Sequence, residues 1–207
     1  SANLIEQYLT AIAETRGTHS NVAETSFYPA LEHLLTELGK TLSPRVRCVI
    51  NLANRGAGIP DGGLFTADQF RRQARNPETV SNPFLAQPPA RGVIEAKPPA
   101  VDLAAIVATP QVEKYWKHYG MVLVSNFRAF ALVGKAADGQ PRILESFELA
   151  ATEADFWKLA AHPRKTADEQ GERMLEYLKR VLLHNAPLAA PQDVAGLLAS
   201  YAHDARL

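Results

Sequence analysis

Glu95 and Lys97 flank Ala96 in the apolar run Gly92-Val-Ile-Glu-Ala-Lys97, which Pro98-Pro99 stops because proline has no amide to give to a ladder. Side chains alternate along a strand, so the carboxylate and the ammonium share one face while Ala96 takes the other. Upstream, Asp61 lies in Gly58-Ile-Pro-Asp-Gly-Gly63, at the start of a short run expected to pair with the first. Two carboxylates from neighbouring strands can hold a hard cation. Mg²⁺ takes oxygen ligands and water, neutralises charge developing on a phosphate and lowers the pKa of a bound water. In that reading Asp61 and Glu95 are ligands and the Ala96 carbonyl adds a third oxygen. Lys97 orients or deprotonates the attacking water, or stabilises a pentacovalent phosphate, and residue types alone do not choose among these roles. Phosphodiester hydrolysis is the chemistry such a set could perform. Each part also has a plainer reading, since Pro-Asp-Gly is a turn signal in itself and Glu-x-Lys on an exposed strand is commonly a solvated pair. Order tips the balance: the aspartate follows a helix and a strand, and Glu-Ala-Lys ends the next strand before a second helix.

The elements that must position these residues are read from periodicity. Leu4, Ile5, Tyr8, Leu9 and Ile12 predict an amphipathic helix over 3–14, followed by the polar break Arg16-Gly-Thr-His-Ser-Asn21. Phe27, Leu31, Leu34, Leu35 and Leu38 predict a second helix that ends at Gly39 as its C-terminal stop. Pro29 belongs in a first turn, which puts the start near Thr25 with Glu24 at its mouth. Runs 46–52 and 59–65 predict a hairpin, and Thr66–Ala90, with Asn76-Pro77, Asn82-Pro83 and Pro88-Pro89, a long loop or insertion. Thr109 caps a helix with Pro110 at its first position that ends near Gly120. Met121–Val124, Phe127–Val133 and Arg142–Leu149 read as strands. After residue 151 the pattern is helical over 152–161 and 166–184, then a linker from His184 to Pro191, then an amphipathic helix over 193–205. The stop at Leu207 reads as a cut from a longer chain.

The order helix, hairpin with Pro60-Asp61, strand with Glu95-Ala96-Lys97, helix, strand resembles the core of the PD-(D/E)xK nuclease superfamily. That resemblance implies that Asp61 and Glu95 bind Mg²⁺ and that Lys97 is catalytic. Gln111-Val-Glu-Lys-Tyr115 on the following helix resembles the Q-x-x-x-Y motif of the recombination-exonuclease branch. Gln111 and Tyr115, four apart, share one helix face and could reach the active site or a DNA backbone; a helix-start glutamine and a core tyrosine are the structural alternative. Glu24 matches the acidic residue that many members place on the helix before the hairpin, where it assists a metal. Its capping-box spacing from Asn21 leaves helix capping open. The segments Glu24-Thr-Ser-Phe-Tyr-Pro-Ala-Leu31 and Leu123-Val-Ser-Asn-Phe-Arg-Ala-Phe130 are similar to N-terminal segments of large adenine-specific DNA methyltransferases and single-chain restriction-modification enzymes. The resemblance covers residues 20–134 and departs from the family in the length of the 66–91 insertion, whose Arg71, Arg72 and Arg75 could contact phosphates or form an ordinary solvated face.

Composition narrows the alternatives. With 207 residues, 46% apolar and 21% charged, the chain can bury one sizeable α/β core. Cys48, the single cysteine, excludes an internal disulfide and a zinc finger and points to a reducing compartment. No apolar stretch approaches the roughly 18 residues of a spanning helix, and no signal-peptide order opens the chain, so a cytoplasmic location without membrane contact is expected. The 22 basic and 22 acidic residues cancel, so affinity for nucleic acid would come from local patches or another part of a larger protein. His33, His118, His162 and His184 show no H-E-x-x-H spacing, and neither a phosphate-binding loop nor a nucleophile elbow is present.

These readings converge on an α/β fold with a three-layer, restriction-endonuclease-like core over 1–150, built on a central mixed sheet, and a helical extension with a linker over 151–207 leading toward a further domain. The expected activity is Mg²⁺-dependent hydrolysis of DNA phosphodiester bonds in a restriction-modification type protein. Asp61, Glu95, Lys97, Gln111 and Tyr115 are the candidate catalytic residues, and Asp61, Glu95, Ala96 and Glu24 the candidate metal residues. DNA is the expected partner, with methyltransferase and target-recognition regions of the same chain. The alternative is a non-catalytic DNA-binding or docking module that keeps the nuclease fold beside a DNA methyltransferase. A protein-interaction domain unrelated to DNA has no positive support in the sequence.

Overall fold

Strands that are apolar at nearly every position need cover on both faces. The computed structural model describes residues 3–17, 23–50, 60–69 and 89–184, with 194–195, 198–199 and 201–202 near the C-terminus. In chain order the elements are α1 (Leu4–Gly17), a 3₁₀ turn (Glu24–Phe27), α2 (Tyr28–Lys40), β1 (Val46–Ile50), β2 (Gly62–Thr66) and β3 (Val93–Ala96). They continue as α3 (Leu103–Val107), α4 (Pro110–Tyr119), β4 (Val122–Ser125), β5 (Ala129–Lys135), β6 (Pro141–Glu148), α5 (Glu153–Ala160) and α6 (Pro163–Leu183). The described residues between 194 and 202 are helical. Arg71, Arg72, Arg75, most of the insertion and the 185–191 part of the linker lie outside the described residues. No helix among those described is long and apolar enough to cross a membrane.

The six strands lie in the order β1-β2-β3-β4-β5-β6. β3 and β4 are parallel and every other neighbouring pair is antiparallel, so the sheet is mixed. A parallel neighbour demands a crossover, and α3 and α4 supply it. Alternation along each strand then splits the core in two. Leu64, Ile94, Leu123 and Leu132 face α1, α2, α5 and α6 in the larger cluster, with Leu9, Leu34, Phe156 and Leu178 among its members. Val93, Val122, Val124 and Val133 face α3 and α4, meeting Ile106, Val112 and Tyr115. Three layers result, as the α/β reading expected. Phe156, Met174, Leu178 and Val181 of α5 and α6 belong to the same cluster as Ile5 and Leu31, so the helices after residue 151 share one core with the first 150 residues.

Several boundaries move for physical reasons. Pro29 does sit in a first turn, but a 3₁₀ turn precedes it and the regular helix starts at Tyr28. α3 is an element the apolar periodicity does not announce; it is five residues long and opens on Asp102, whose side chain accepts from the Ala105 amide. Gly120 ends α4 in the left-handed conformation at φ 76°, and Thr109 caps its start by accepting from Val112 N. Gly39 plays a different part from the helix stop expected of it. α2 runs on to Lys40, and a Cβ at residue 39 would stand 2.1 Å from the Val46 carbonyl oxygen. Close approach of β1, rather than a left-handed cap, calls for glycine there.

This sets the sign of a substitution. In an exposed helix interior Gly→Ala stabilises by about 1 kcal/mol, whereas Gly39→Ala forces backbone against backbone and is expected to destabilise by about 1–3 kcal/mol. Denaturant unfolding of the variant measures it, and an increase in stability would contradict the close approach.

Candidate active site

The C-terminal end of β3 lies between the start of β2 and the end of β4, and the candidate residues gather there. Gly62 pairs with Ile94, so one further antiparallel step carries Asp61 alongside Glu95 and Ala96. Asp61 Oδ2 accepts from the Ala96 amide at 2.9 Å. Lys97 follows the strand, and its amide still donates to Ser125 O at 2.9 Å, extending the parallel ladder by one step. Its ammonium donates to Glu95 Oε1 at 2.6 Å and to the Ala96 carbonyl at 3.0 Å. Glu95 is 1% exposed, whereas the Lys97 side chain is 35% exposed. A buried carboxylate thus faces an ammonium that still reaches solvent.

α4 closes one side. Its N-terminus is fixed by Thr109 and Pro110, with Gln111 in its first turn. Gln111 Nε2 donates to Tyr115 OH at 2.8 Å and approaches Glu95 Oε2 at 3.4 Å. The Tyr115 ring is buried in the smaller cluster with only its hydroxyl turned to Gln111. Gln111 therefore presents itself to the carboxylate and Tyr115 holds Gln111. Glu24 arrives from the other helical layer, with Oε1 4.0 Å from Lys97 Nζ. The capping alternative pairs Glu24 with Asn21, which lies outside the described residues. Glu24 Oε1 accepts from Tyr28 OH at 2.5 Å.

Two features escaped the sequence reading. Tyr28 is one; its spacing of four from Glu24 was the available signal. The other is the β4–β5 turn, Ser125-Asn-Phe-Arg128. Phe127 has φ 66°, unusual for a bulky residue. It is held by Ser125 Oγ accepting its amide at 2.9 Å and by Tyr8 OH donating to its carbonyl at 2.7 Å. Asn126 Nδ2 then donates to Val101 O at 2.8 Å, and Arg128 Nε to Pro99 O at 2.9 Å. Both anchor the loop that leaves Lys97.

The electrostatics follow from this crowding. Burial first, and the Asp61 charge second, push the Glu95 carboxyl up to about 7, against the pull of Lys97. Burial works against the Lys97 ammonium, but its bond to Glu95 and the charges of Glu95, Glu24 and Asp61 outweigh it and raise its pKa. Burial also raises Glu24, with Tyr28 and Lys97 opposing. Three carboxylates thus feel one another with one ammonium among them. The donors are all hard oxygens, two carboxylates on adjacent strands with the Ala96 carbonyl, which suits Mg²⁺ and not a soft metal. Among the described residues no group of three or more His, Cys, Asp or Glu side chains is placed to hold a metal ion. Mg²⁺ does not need one, since it commonly takes one or two carboxylates and completes its shell with water and substrate phosphate.

No family model matches the chain, and no curated protein matches it. Among solved structures, one described as a cryoEM structure of a DrdV–DNA complex is similar at 15% identity, covering 77% of this chain and 96% of that chain with a TM-score of 0.46.

The raised Glu95 value has a measurable consequence. The fold binds this proton more tightly than the unfolded chain, so the contribution is fully present below the unfolded glutamate value of about 4.3 and is lost as pH rises through about 7. In chelator, the melting temperature of the wild type is expected to fall from about pH 5 to 8 and that of Glu95→Gln to fall less. Identical slopes would show that Glu95 is not the group.

Proposed function

We propose that this chain is a divalent-cation-dependent nuclease of the PD-(D/E)xK type that hydrolyses DNA phosphodiester bonds. The observation that carries the reading is the buried Glu95 carboxylate at the end of β3, with Asp61 beside it and Lys97 at 2.6 Å. Carboxylates crowded at a buried position cost stability that a docking module has no reason to bear, and such perturbed groups concentrate at functional sites. DNA as the polymer comes from the resemblance of the Asp61, Glu95-Ala96-Lys97 and Gln111–Tyr115 motifs.

In this reading Asp61, Glu95 and the Ala96 carbonyl would hold Mg²⁺, with Glu24 as a further oxygen. When bound, the ion supplies charge neutralisation at the phosphate and a more acidic water. The residues divide the remaining work. Lys97 sits on Glu95 Oε1 and the Ala96 carbonyl, oxygens the cation would also use, so its ammonium acts as an internal counter-ion until it is released toward the substrate. Its raised pKa favours a donor to phosphate oxygen or water over a base. Gln111, braced by Tyr115, fixes the second oxygen of Glu95.

Paired variants separate metal binding from chemistry. Asn can still accept from Ala96 N, so Asp61→Asn should keep the fold while Mg²⁺ affinity and cleavage both fall. Lys97→Ala should keep or tighten Mg²⁺ binding, because a competing cation is gone, while cleavage falls by about 10²–10³. Calorimetric Mg²⁺ titration beside a DNA cleavage assay reads both. Wild-type cleavage in Lys97→Ala would remove its assigned role, and unchanged affinity in Asp61→Asn would remove the ligand. DNA binding with neither cation uptake nor cleavage by the wild type would point to a docking module. Gln111→Ala should lower cleavage with little change in melting temperature, since its side chain lies at the surface end of α4.

A further inference from the structure

Tyr28 is the first residue of α2 and is 3% exposed. Its ring packs against Phe127 at a centroid distance of 6.3 Å, and Phe127 is itself pinned through its carbonyl by Tyr8. The core therefore decides where the hydroxyl stands. That hydroxyl donates to Glu24 Oε1 at 2.5 Å. A phenol has one proton, so it serves one carboxylate at a time.

We propose that Tyr28 is a positioning residue of the candidate site, whose hydroxyl holds the Glu24 carboxylate in place and off the Lys97 ammonium. This rests on the cluster being a divalent-cation site. Glu24 Oε1 is 4.0 Å from Lys97 Nζ, at the limit of an ion pair. A glutamate has the rotamer freedom to close that gap once its hydrogen bond is removed. Lys97 would then be clamped between Glu24 and Glu95, and a further oxygen available to a cation would be tied to the ammonium that already holds Glu95 Oε1 and the Ala96 carbonyl. With Tyr28 in place, Glu24 stays available as a further oxygen, carried on a different layer of the fold from Glu95 and the Ala96 carbonyl.

The test uses Mn²⁺, which suits the same oxygen ligands, with binding read from loss of the free-ion paramagnetic resonance signal. Four forms are compared: wild type, Tyr28→Phe, Glu24→Gln and the double variant. Phenylalanine keeps the ring against Phe127, so melting temperature should change little. Mn²⁺ binding should weaken by about tenfold in Tyr28→Phe, the scale of losing one hydrogen bond to a charged group, and comparably in Glu24→Gln. The double variant should bind no more weakly than Glu24→Gln alone, because Tyr28 acts through Glu24. Independent, summed losses in the double variant, or wild-type affinity in either single variant, would overturn the positioning role while the cation site stands. A wild-type chain that takes up no Mn²⁺ would overturn the cation site and the positioning role with it.

Discussion

A carboxylate cannot enter an apolar layer without partners, and the arrangement around β3 follows from Glu95 having done so at 1% exposure. Lys97 supplies the charge, Gln111 approaches the second oxygen, and Asp61 locks the strand end by taking the Ala96 amide. Each partner comes from a different element. Register between β2 and β3, the parallel step to β4 and the start of α4 must all be right for one oxygen pair to be accommodated.

The turn between β4 and β5 provides the rigidity this requires. Phe127 occupies a backbone region costly for its side chain, and the surrounding bonds over-determine it: Tyr8 from α1, Ser125 from within the turn, and the aromatic neighbours Phe27 and Tyr28. Arg128, 6% exposed, also donates to the Ala150 and Ala151 carbonyls, joining the loop after Lys97 to the start of α5. A buried guanidinium spread over three carbonyls satisfies backbone that would otherwise be orphaned. At the far edge of the sheet, Arg180 of α6 is buried against Glu145 of β6, and Phe147 stacks on Tyr177 at 5.8 Å. These contacts hold the last long helix on the sheet.

The two cores are unequal, and the site draws on both. The larger cluster anchors α2 and thus Tyr28 and Glu24; the smaller one carries α4 and Gln111 on Val112 and Tyr115. Elements with few buried apolar contacts open at lower free energy. The side facing Gln111 is therefore the more easily displaced, while Asp61 and Glu95 stay fixed in the sheet.

The sequence by itself determined what depends on neighbours in the chain. Helical spacing located α1, α2 and α6, Thr109-Pro110 and Gly120 bounded α4, and alternation put Glu95 and Lys97 on one face. These are effects of a few consecutive residues, so their signals are local. The α/β class was legible for the same reason, through apolar strand runs separated by helical ones, whereas the mixed three-layer arrangement was expected from the family resemblance. Tertiary structure alone decided that Gly39 serves an approaching carbonyl, that Ser125–Arg128 braces the loop after Lys97, and that α5 and α6 complete the first core. It also decided that Glu24 meets the Tyr28 phenol. Each of these outcomes depends on a position fixed by packing between distant segments, as Tyr8 is with Phe127 across 119 residues, and no local pattern encodes such a meeting.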